Sequence, residues 1–259
     1  MRFELLGPLR VVEVNNGVPT ALTVLPRKVA NLLAVLLVRA NQVVSADQLI
    51  TELWGEHPPR RAMATLHVYV SQLRRYLAVG GVNPITTQGR SYCLTVDPGG
   101  CDIDEFRTLT RAGRTHLQAG RYAEASAALS QARALWRGPA LAEAGSGPIL
   151  TGFTVWLEEL RQEGQEMLIE AGLAMGCERE LVSSLYAMIA ENPLHEVYYR
   201  QLMTALYRCD RRAEALTVYR KARARITDDL GLEPGRPLQL LHQEILAADI
   251  DLRARPIAV

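Results

Sequence analysis

Residues Ser45–Tyr76 read SADQLITELWGEHPPRRAMATLHVYVSQLRRY, and this stretch decides the fold. It predicts two helices joined by a Pro-Pro turn. Ser45 followed by Gln48 has the form of a capping box, in which side chain and backbone satisfy each other at a helix start. Leu49, Ile50, Leu53 and Trp54 then make one apolar side. Pro58 and Pro59 end that helix, because proline cannot continue it and restricts its predecessor. In the second helix Met63, Leu66, Val70, Leu73 and Leu77 recur at steps of 3 and 4, which is one buried stripe.

At about 100° per residue the opposite face carries Arg61, Thr65, Val68, Ser71, Gln72 and Arg75. Arg60, His67 and Arg74 flank it on one side, Tyr69 and Tyr76 on the other. No Asp or Glu occurs between Arg60 and Val96. A short amphipathic helix with a polar, basic and acid-free face has the composition of a DNA-reading helix. Arg forks onto guanine, Gln onto adenine, and Val68 suits a thymine methyl in the major groove. Arginine and serine also hold phosphates. The competing reading is a solvated surface helix.

Working outward, Ile85–Val96 alternates around a Gln88-Gly89-Arg90 turn and predicts a β-hairpin, the wing of a winged helix. Arg90 near its tip is placed to enter a minor groove, whose negative potential attracts arginine. Upstream, the runs Phe3–Leu6, Leu9–Val12 and Ala21–Val24 are broken by Gly7-Pro8 and Asn15-Asn-Gly17, which predicts a small N-terminal sheet. Pro26 sits where a first helical residue is expected, and Val29, Leu32, Leu33, Leu36 and Leu37 give that helix its buried stripe.

From Asp102 onward the signals are helical. The expected helices are Asp102–Gln118, Arg121–Trp136, Leu157–Met175, Glu178–Ala190, Leu194–Arg208 and Arg211–Asp228. Tyr122-Ala-Glu-Ala125, Arg179-Glu-Leu181 and Arg212-Ala-Glu-Ala215 align, and Glu180 to Glu214 is a period of 34, the tetratricopeptide length. Stacked helical pairs of this kind make a concave, partner-binding surface.

A chain of 259 residues fits two domains. The expected division is a winged helix at 1–98 and a tetratricopeptide-like helical repeat domain at 101–259, around the turn-rich Asp97-Pro98-Gly99-Gly100. The fold class is mainly α with a small β component. The formal charge of +1 hides an asymmetry: +4 over residues 1–100 and −3 over residues 101–259. The clustered positive end suits DNA, and the helical end argues against a second nucleic-acid site.

Other classes find little support. Cys93, Cys101, Cys177 and Cys209 have no C-x-x-C spacing, which excludes a zinc finger and fits reduced cysteines in a cytoplasm. The histidines do not pair at i and i+4, so no metal is expected. There is no phosphate-binding P-loop and no G-x-S-x-G nucleophile elbow, so neither a cofactor nor a catalytic residue is expected. No 18-residue apolar run exists, the N-terminus lacks a signal-peptide layout, and no membrane partner is expected.

The N-terminal sheet, the segment from Leu25 to Leu77 and the ITTQGRSYCL hairpin together resemble the Streptomyces antibiotic regulatory protein family. So do Trp136-Arg-Gly-Pro139, Trp156–Arg161 and Asp229-Leu-Gly-Leu-Glu-Pro234. The resemblance implies an OmpR-like winged helix followed by a bacterial transcriptional activation domain, in an activator of antibiotic or other secondary-metabolite gene clusters. It implies promoter DNA as partner, read as short direct repeats by two protomers in tandem. The polar face of the second helix places major-groove contacts at Arg61, Thr65, Val68, Ser71, Gln72 and Arg75. Phosphate or minor-groove contacts go to Arg27, Lys28, Arg60, Arg74 and Arg90. The loop Glu56, His57, Pro58, Pro59 is implied to face RNA polymerase. The helical domain is expected to contact a sigma factor, the polymerase alpha subunit or the neighbouring protomer. The expected setting is the cytoplasm, at the nucleoid. The rivals are a helical-repeat interaction regulator and a ligand-gated repressor.

Overall fold

A computed structural model of the chain describes all residues except 16–17, 23–24, 79–82, 143, 146 and 248–259, and side chains at 14, 15, 18, 19 and 21 are likewise outside the description. Two compact units form: Met1–Leu109 with Gln131–Gln162, and Thr110–Ser130 with Glu163–Val259.

The first unit opens with an antiparallel sheet, β1 (Arg2–Glu4), β2 (Arg10–Asn15) and β3 (Val18–Ala21), in the order β1-β2-β3. Phe3 pairs with Val11 and Val12 with Ala21. The third strand lies earlier than the apolar run Ala21–Val24 predicts, because pairing of Asn15 with Val18 sets it directly after Asn16-Gly17. Residues 23–24 fall outside the described part.

Three helices follow: α1 (Arg27–Val38), α2 (Ala46–Trp54) and α3 (Ala62–Leu77). Pro26 is the residue before α1 rather than its first turn. The capping box at Ser45 is formed, with Gln48 N–H donating to the Ser45 hydroxyl at 3.2 Å and Ser45 N–H to the Gln48 carbonyl oxygen at 3.0 Å. β4 (Val44–Ser45), β5 (Ile85–Gln88) and β6 (Ser91–Leu94) make a second antiparallel sheet in the order β4-β6-β5. Gln88 pairs with Ser91, leaving the two-residue loop Gly89-Arg90. Gly89 has φ +60°, a conformation glycine adopts without strain at a tight hairpin.

One hydrophobic core holds this unit. Leu32, Leu33 and Leu36 of α1 meet Leu49 of α2 and Leu66 and Leu73 of α3, all fully buried. Leu5 and Leu6 join them, as do Ala132, Leu141, Leu150 and Leu157 from beyond the winged helix. Asn41, at φ +63°, bridges to the segment after β6: its side chain donates to Val96 O at 3.0 Å and accepts from Val96 N at 3.1 Å.

The remaining helices are α4 (Asp102–Gln118), α5 (Tyr122–Ala134), α6 (Pro148–Ala174), α7 (Glu178–Glu191), α8 (Glu196–Arg208), α9 (Arg212–Leu230) and α10 (Arg236–Ala247). α6 begins nine residues before the expected Leu157, and α10 is not among the expected helices. The early turns of α6 carry Thr151, Gly152, Thr154 and Val155, weak helix formers that hide the start from a propensity reading.

In the second unit the turns ending α4, α6 and α8 share one hydrogen-bond pattern. Arg121 N–H donates to His116 O, Cys177 N–H to Gly172 O and Arg211 N–H to Leu206 O, each five residues back. The left-handed residue of each turn is Gly120, Gly176 or Asp210. Gly176 and Asp210 are 34 residues apart, so the repeat seen in the sequence is present in the backbone. Tyr198, Leu202, Leu206, Ala215 and Ala222 lie at its core, with Ile169 and Leu185.

Candidate nucleic-acid interface

The stripe predicted for α3 is inside: Leu66, Val70, Leu73 and Leu77 are buried and Met63 half-buried. Burying those four aliphatic side chains stabilises the helix by about 1.5–3 kcal/mol each. The other face is therefore presented to solvent. Arg61, at the N-cap, Ser71 and Arg75 are exposed, and Thr65 and Gln72 are half-buried. Val68 is 53% exposed, an apolar residue standing in a polar face. Thr65 donates its hydroxyl back to Arg61 O at 3.2 Å, within its own helix turn. Trp54 of α2 stacks on Tyr69 of α3, with centroids 6.0 Å apart and planes at 20°, and fixes the two helices against each other.

The predicted cations separate into two groups. Arg27, Arg60, Arg61 and Arg75 are exposed and have no ion-pair or side-chain hydrogen-bond partner among the described residues. The other three are engaged. The Lys28 ammonium donates to Leu53 O at the end of α2. Arg74 donates from Nε to Ile85 O at 3.2 Å and from Nη2 to the Thr87 hydroxyl at 2.6 Å. Arg90 lies 3.7 Å from Asp47, an exposed pair with side chains 77% and 81% accessible. Such a surface pair is worth about 0–1 kcal/mol and yields readily to a better anion.

The wing presents Thr86, Thr87, Gln88, Gly89 and Arg90 to solvent. Burial raises the Tyr76 and Tyr92 phenols above their ordinary range, with Arg74 opposing the rise at Tyr92. Both phenols therefore stay neutral beside the basic face. The loop between α2 and α3 is fully exposed from Gly55 to Arg61 and includes Glu56, His57, Pro58 and Pro59. Gly55 takes φ +59° and bonds back to Thr51 O at 2.8 Å, so the helix stops and the loop turns outward.

The described residues contain no group of three or more His, Cys, Asp or Glu able to hold a metal, and no helix long and apolar enough to cross a membrane. Two buried carboxylates escaped the sequence reading. Glu52, 5% exposed, accepts from Ile149 N–H and, at 3.4 Å, from Leu150 N–H. Asp102, 2% exposed, accepts from Leu5 N–H at 2.8 Å and Leu6 N–H at 3.0 Å, with Arg137 3.6 Å away. Glu52 signals itself only as an acidic residue between Ile50 and Leu53-Trp54, and Asp102 is masked by Asp104 and Glu105 in the same helix start.

A helix-turn-helix with an exposed basic face, followed by a hairpin and preceded by a sheet, defines a winged-helix transcriptional regulator of the OmpR type. The family model described as "Transcriptional regulatory protein, C terminal" matches residues 21–94, and "Bacterial transcriptional activator domain" matches residues 101–246. The chain belongs to the Streptomyces antibiotic regulatory protein family of transcriptional regulators. It is 35% identical over 257 residues to the regulatory protein DnrI of Streptomyces peucetius, covering 96% of this chain and 93% of that one. It is 36% identical over 247 residues to the transcriptional regulatory protein EmbR of Mycobacterium tuberculosis, covering 94% of this chain and 63% of EmbR. The solved structure of Mycobacterium tuberculosis EmbR with a low-affinity phosphopeptide superposes with a TM-score of 0.88 at 34% identity, over 97% of this chain and 66% of that one. The chain thus spans less than two thirds of EmbR's length.

Proposed function

We propose that the chain is a sequence-specific activator of an antibiotic or other secondary-metabolite gene cluster, with residues 1–98 as its DNA-binding domain and residues 101–259 as its activation domain. One observation carries this reading: α3 turns Arg61, Val68, Ser71, Gln72 and Arg75 to solvent on one face, with no acidic residue among them. In the major groove Arg61 and Arg75 fork onto guanine, Gln72 onto adenine, and Val68 and the Thr65 methyl meet thymine methyls. Arg27 and Arg60 hold phosphates, and Arg90 leaves Asp47 for the minor groove. Two protomers sit head to tail on short direct repeats of promoter DNA. The exposed loop Glu56–Pro59 then faces RNA polymerase, and the helical domain meets its sigma factor, its alpha subunit or the neighbouring protomer. The protein works in the cytoplasm at the nucleoid.

Selection from randomised duplexes at about 150 mM salt, where non-specific affinity is already weak, tests the reading. Enrichment of a short motif repeated in the same orientation is expected. Retention of duplexes with no shared motif would leave only phosphate contact and end the activator reading.

A further inference from the structure

We propose that Arg74 is a positioning residue that holds the wing at a fixed distance from the reading helix, and that it does so instead of clamping a phosphate. This rests on the reading that the winged helix binds duplex DNA. Arg74 lies in the last turn of α3, next to Arg75, yet the two side chains differ in kind. Arg75 is exposed and unpartnered among the described residues, whereas Arg74 is half-buried and doubly bonded. Its Nε donates to the backbone carbonyl of Ile85 and its Nη2 to the hydroxyl of Thr87, both on β5. β5 is the outer strand of the sheet, and among the described residues it pairs with β6 alone, so its other edge has no ladder partner there. The guanidinium supplies donors on the side where no strand does. Its planar fork reaches two acceptors two residues apart along a strand, which a lysine ammonium does not reproduce. Asn83 completes the anchor by accepting from Ile85 N–H at 2.9 Å.

The consequence lies at the tip. Thr87 is three residues before Arg90, and the intervening Gln88-Gly89 are exposed and make no side-chain tie of their own among the described residues. The Arg74 anchor on β5, together with the Ala46 N–H that donates to Arg90 O at 2.8 Å on the other side of the hairpin, sets where Arg90 stands relative to Arg61, Gln72 and Arg75. It converts a hairpin into a wing of defined reach, so that groove and minor-groove contacts are made in one register.

Thr87→Val tests this, because it removes the acceptor and leaves every charge in place. Salt slopes and affinities are measured for Thr87→Val, Arg74→Ala, Arg90→Ala and their pairwise combinations on the selected duplex. The expected result is that the neutral Thr87→Val lowers the salt slope as Arg90→Ala does, by about one ion, with affinity down on the order of tenfold. It is silent in both the Arg74→Ala and the Arg90→Ala backgrounds. A wild-type slope for Thr87→Val, with Arg74→Ala and Arg90→Ala additive, would make Arg74 a direct phosphate ligand and overturn the proposal. Full affinity and slope in Arg90→Ala, with the motif still selected, would also overturn it, because the wing would then touch no DNA while α3 still reads bases. Loss of all motif selection in the wild-type chain is a different failure and would remove the functional reading itself.

Discussion

Glu52 on α2 closes the N-terminus of α6 by accepting the backbone N–H of Ile149. A helix start leaves unsatisfied N–H groups, and a carboxylate there bonds them and complements the helix dipole. Here the carboxylate comes from 97 residues away, inside the core of the first unit. Gly147 makes room for it, since a Cβ at that position would sit 2.8 Å from the Glu52 Cα and collide with the carboxylate. The helix that supports the reading helix is thereby tied to the start of α6.

Glu52→Ala is expected to destabilise the chain by about 1–3 kcal/mol, because it strands buried amides and opens a void. Glu52→Gln keeps one acceptor and the shape, so its cost is expected near 1 kcal/mol. Gly147→Ala is expected to cost at least as much as Glu52→Gln. Urea unfolding compares the three. An alanine variant as stable as the parent would show that the tie contributes nothing.

Asp102 gives a pH dependence. Burial is the largest influence and raises its carboxyl above the ordinary range; the Leu5 and Leu6 amides and then Arg137 oppose this, and Glu4 adds to it. The folded chain therefore binds this proton more tightly than the unfolded chain. Its contribution to stability is fully present below the unfolded value and declines as pH rises through the raised folded value. Asp102→Asn removes that titration and one of two acceptor oxygens. The substitution is expected to cost about 1–3 kcal/mol, and more at the acidic end than at neutral pH. Urea midpoints between about pH 4 and about pH 8 measure the difference. A cost that grows with pH would reverse the assigned direction.

Gln72 and Arg60 should fail in different ways. Gln72→Ala is expected to relax preference at one base position by about 1–3 kcal/mol and leave the salt slope alone. Arg60→Ala is expected to weaken all sequences alike and lower the slope by about 0.9. Binding to the selected duplex and to single-base variants, each over a salt series, separates the two. A specificity change in Arg60→Ala would move that residue from backbone to base contact.

Local features explain what was legible beforehand. The Ser45–Gln48 box, the Leu66–Val70–Leu73 stripe and the Gly89 turn depend on residues within four positions of each other, and sequence spacing reports such groups directly. The 34-residue period survived because the same turn recurs at Gly176 and Asp210. Pairings distant in sequence were hidden. Nothing near Lys28 announces the Leu53 carbonyl, and nothing near Arg74 announces β5. An arginine on the edge of a basic face gives no sign in the sequence of the strand its guanidinium bonds. The start of α6 is hidden in the sequence for a related reason: the carboxylate that bonds its first turn is Glu52, not a neighbour in sequence.

The loop Glu56–Pro59 is the place where DNA binding and activation should come apart. It is exposed throughout, lies outside the α3 stripe, and its conformation is set by Gly55 and the two prolines rather than by the Glu56 or His57 side chains. Substituting exposed side chains of this kind shifts stability by about 0.5 kcal/mol or less. Glu56→Ala with His57→Ala is therefore expected to leave unfolding, duplex affinity and motif preference unchanged. If the loop faces polymerase, the same variant should lower transcription from a promoter carrying the selected repeat, on the order of tenfold for loss of about 1.4 kcal/mol of contact. Reconstituted transcription and duplex binding on one preparation make the comparison. Unchanged transcription would make the loop a connector and move the search for the polymerase contact to the helical domain.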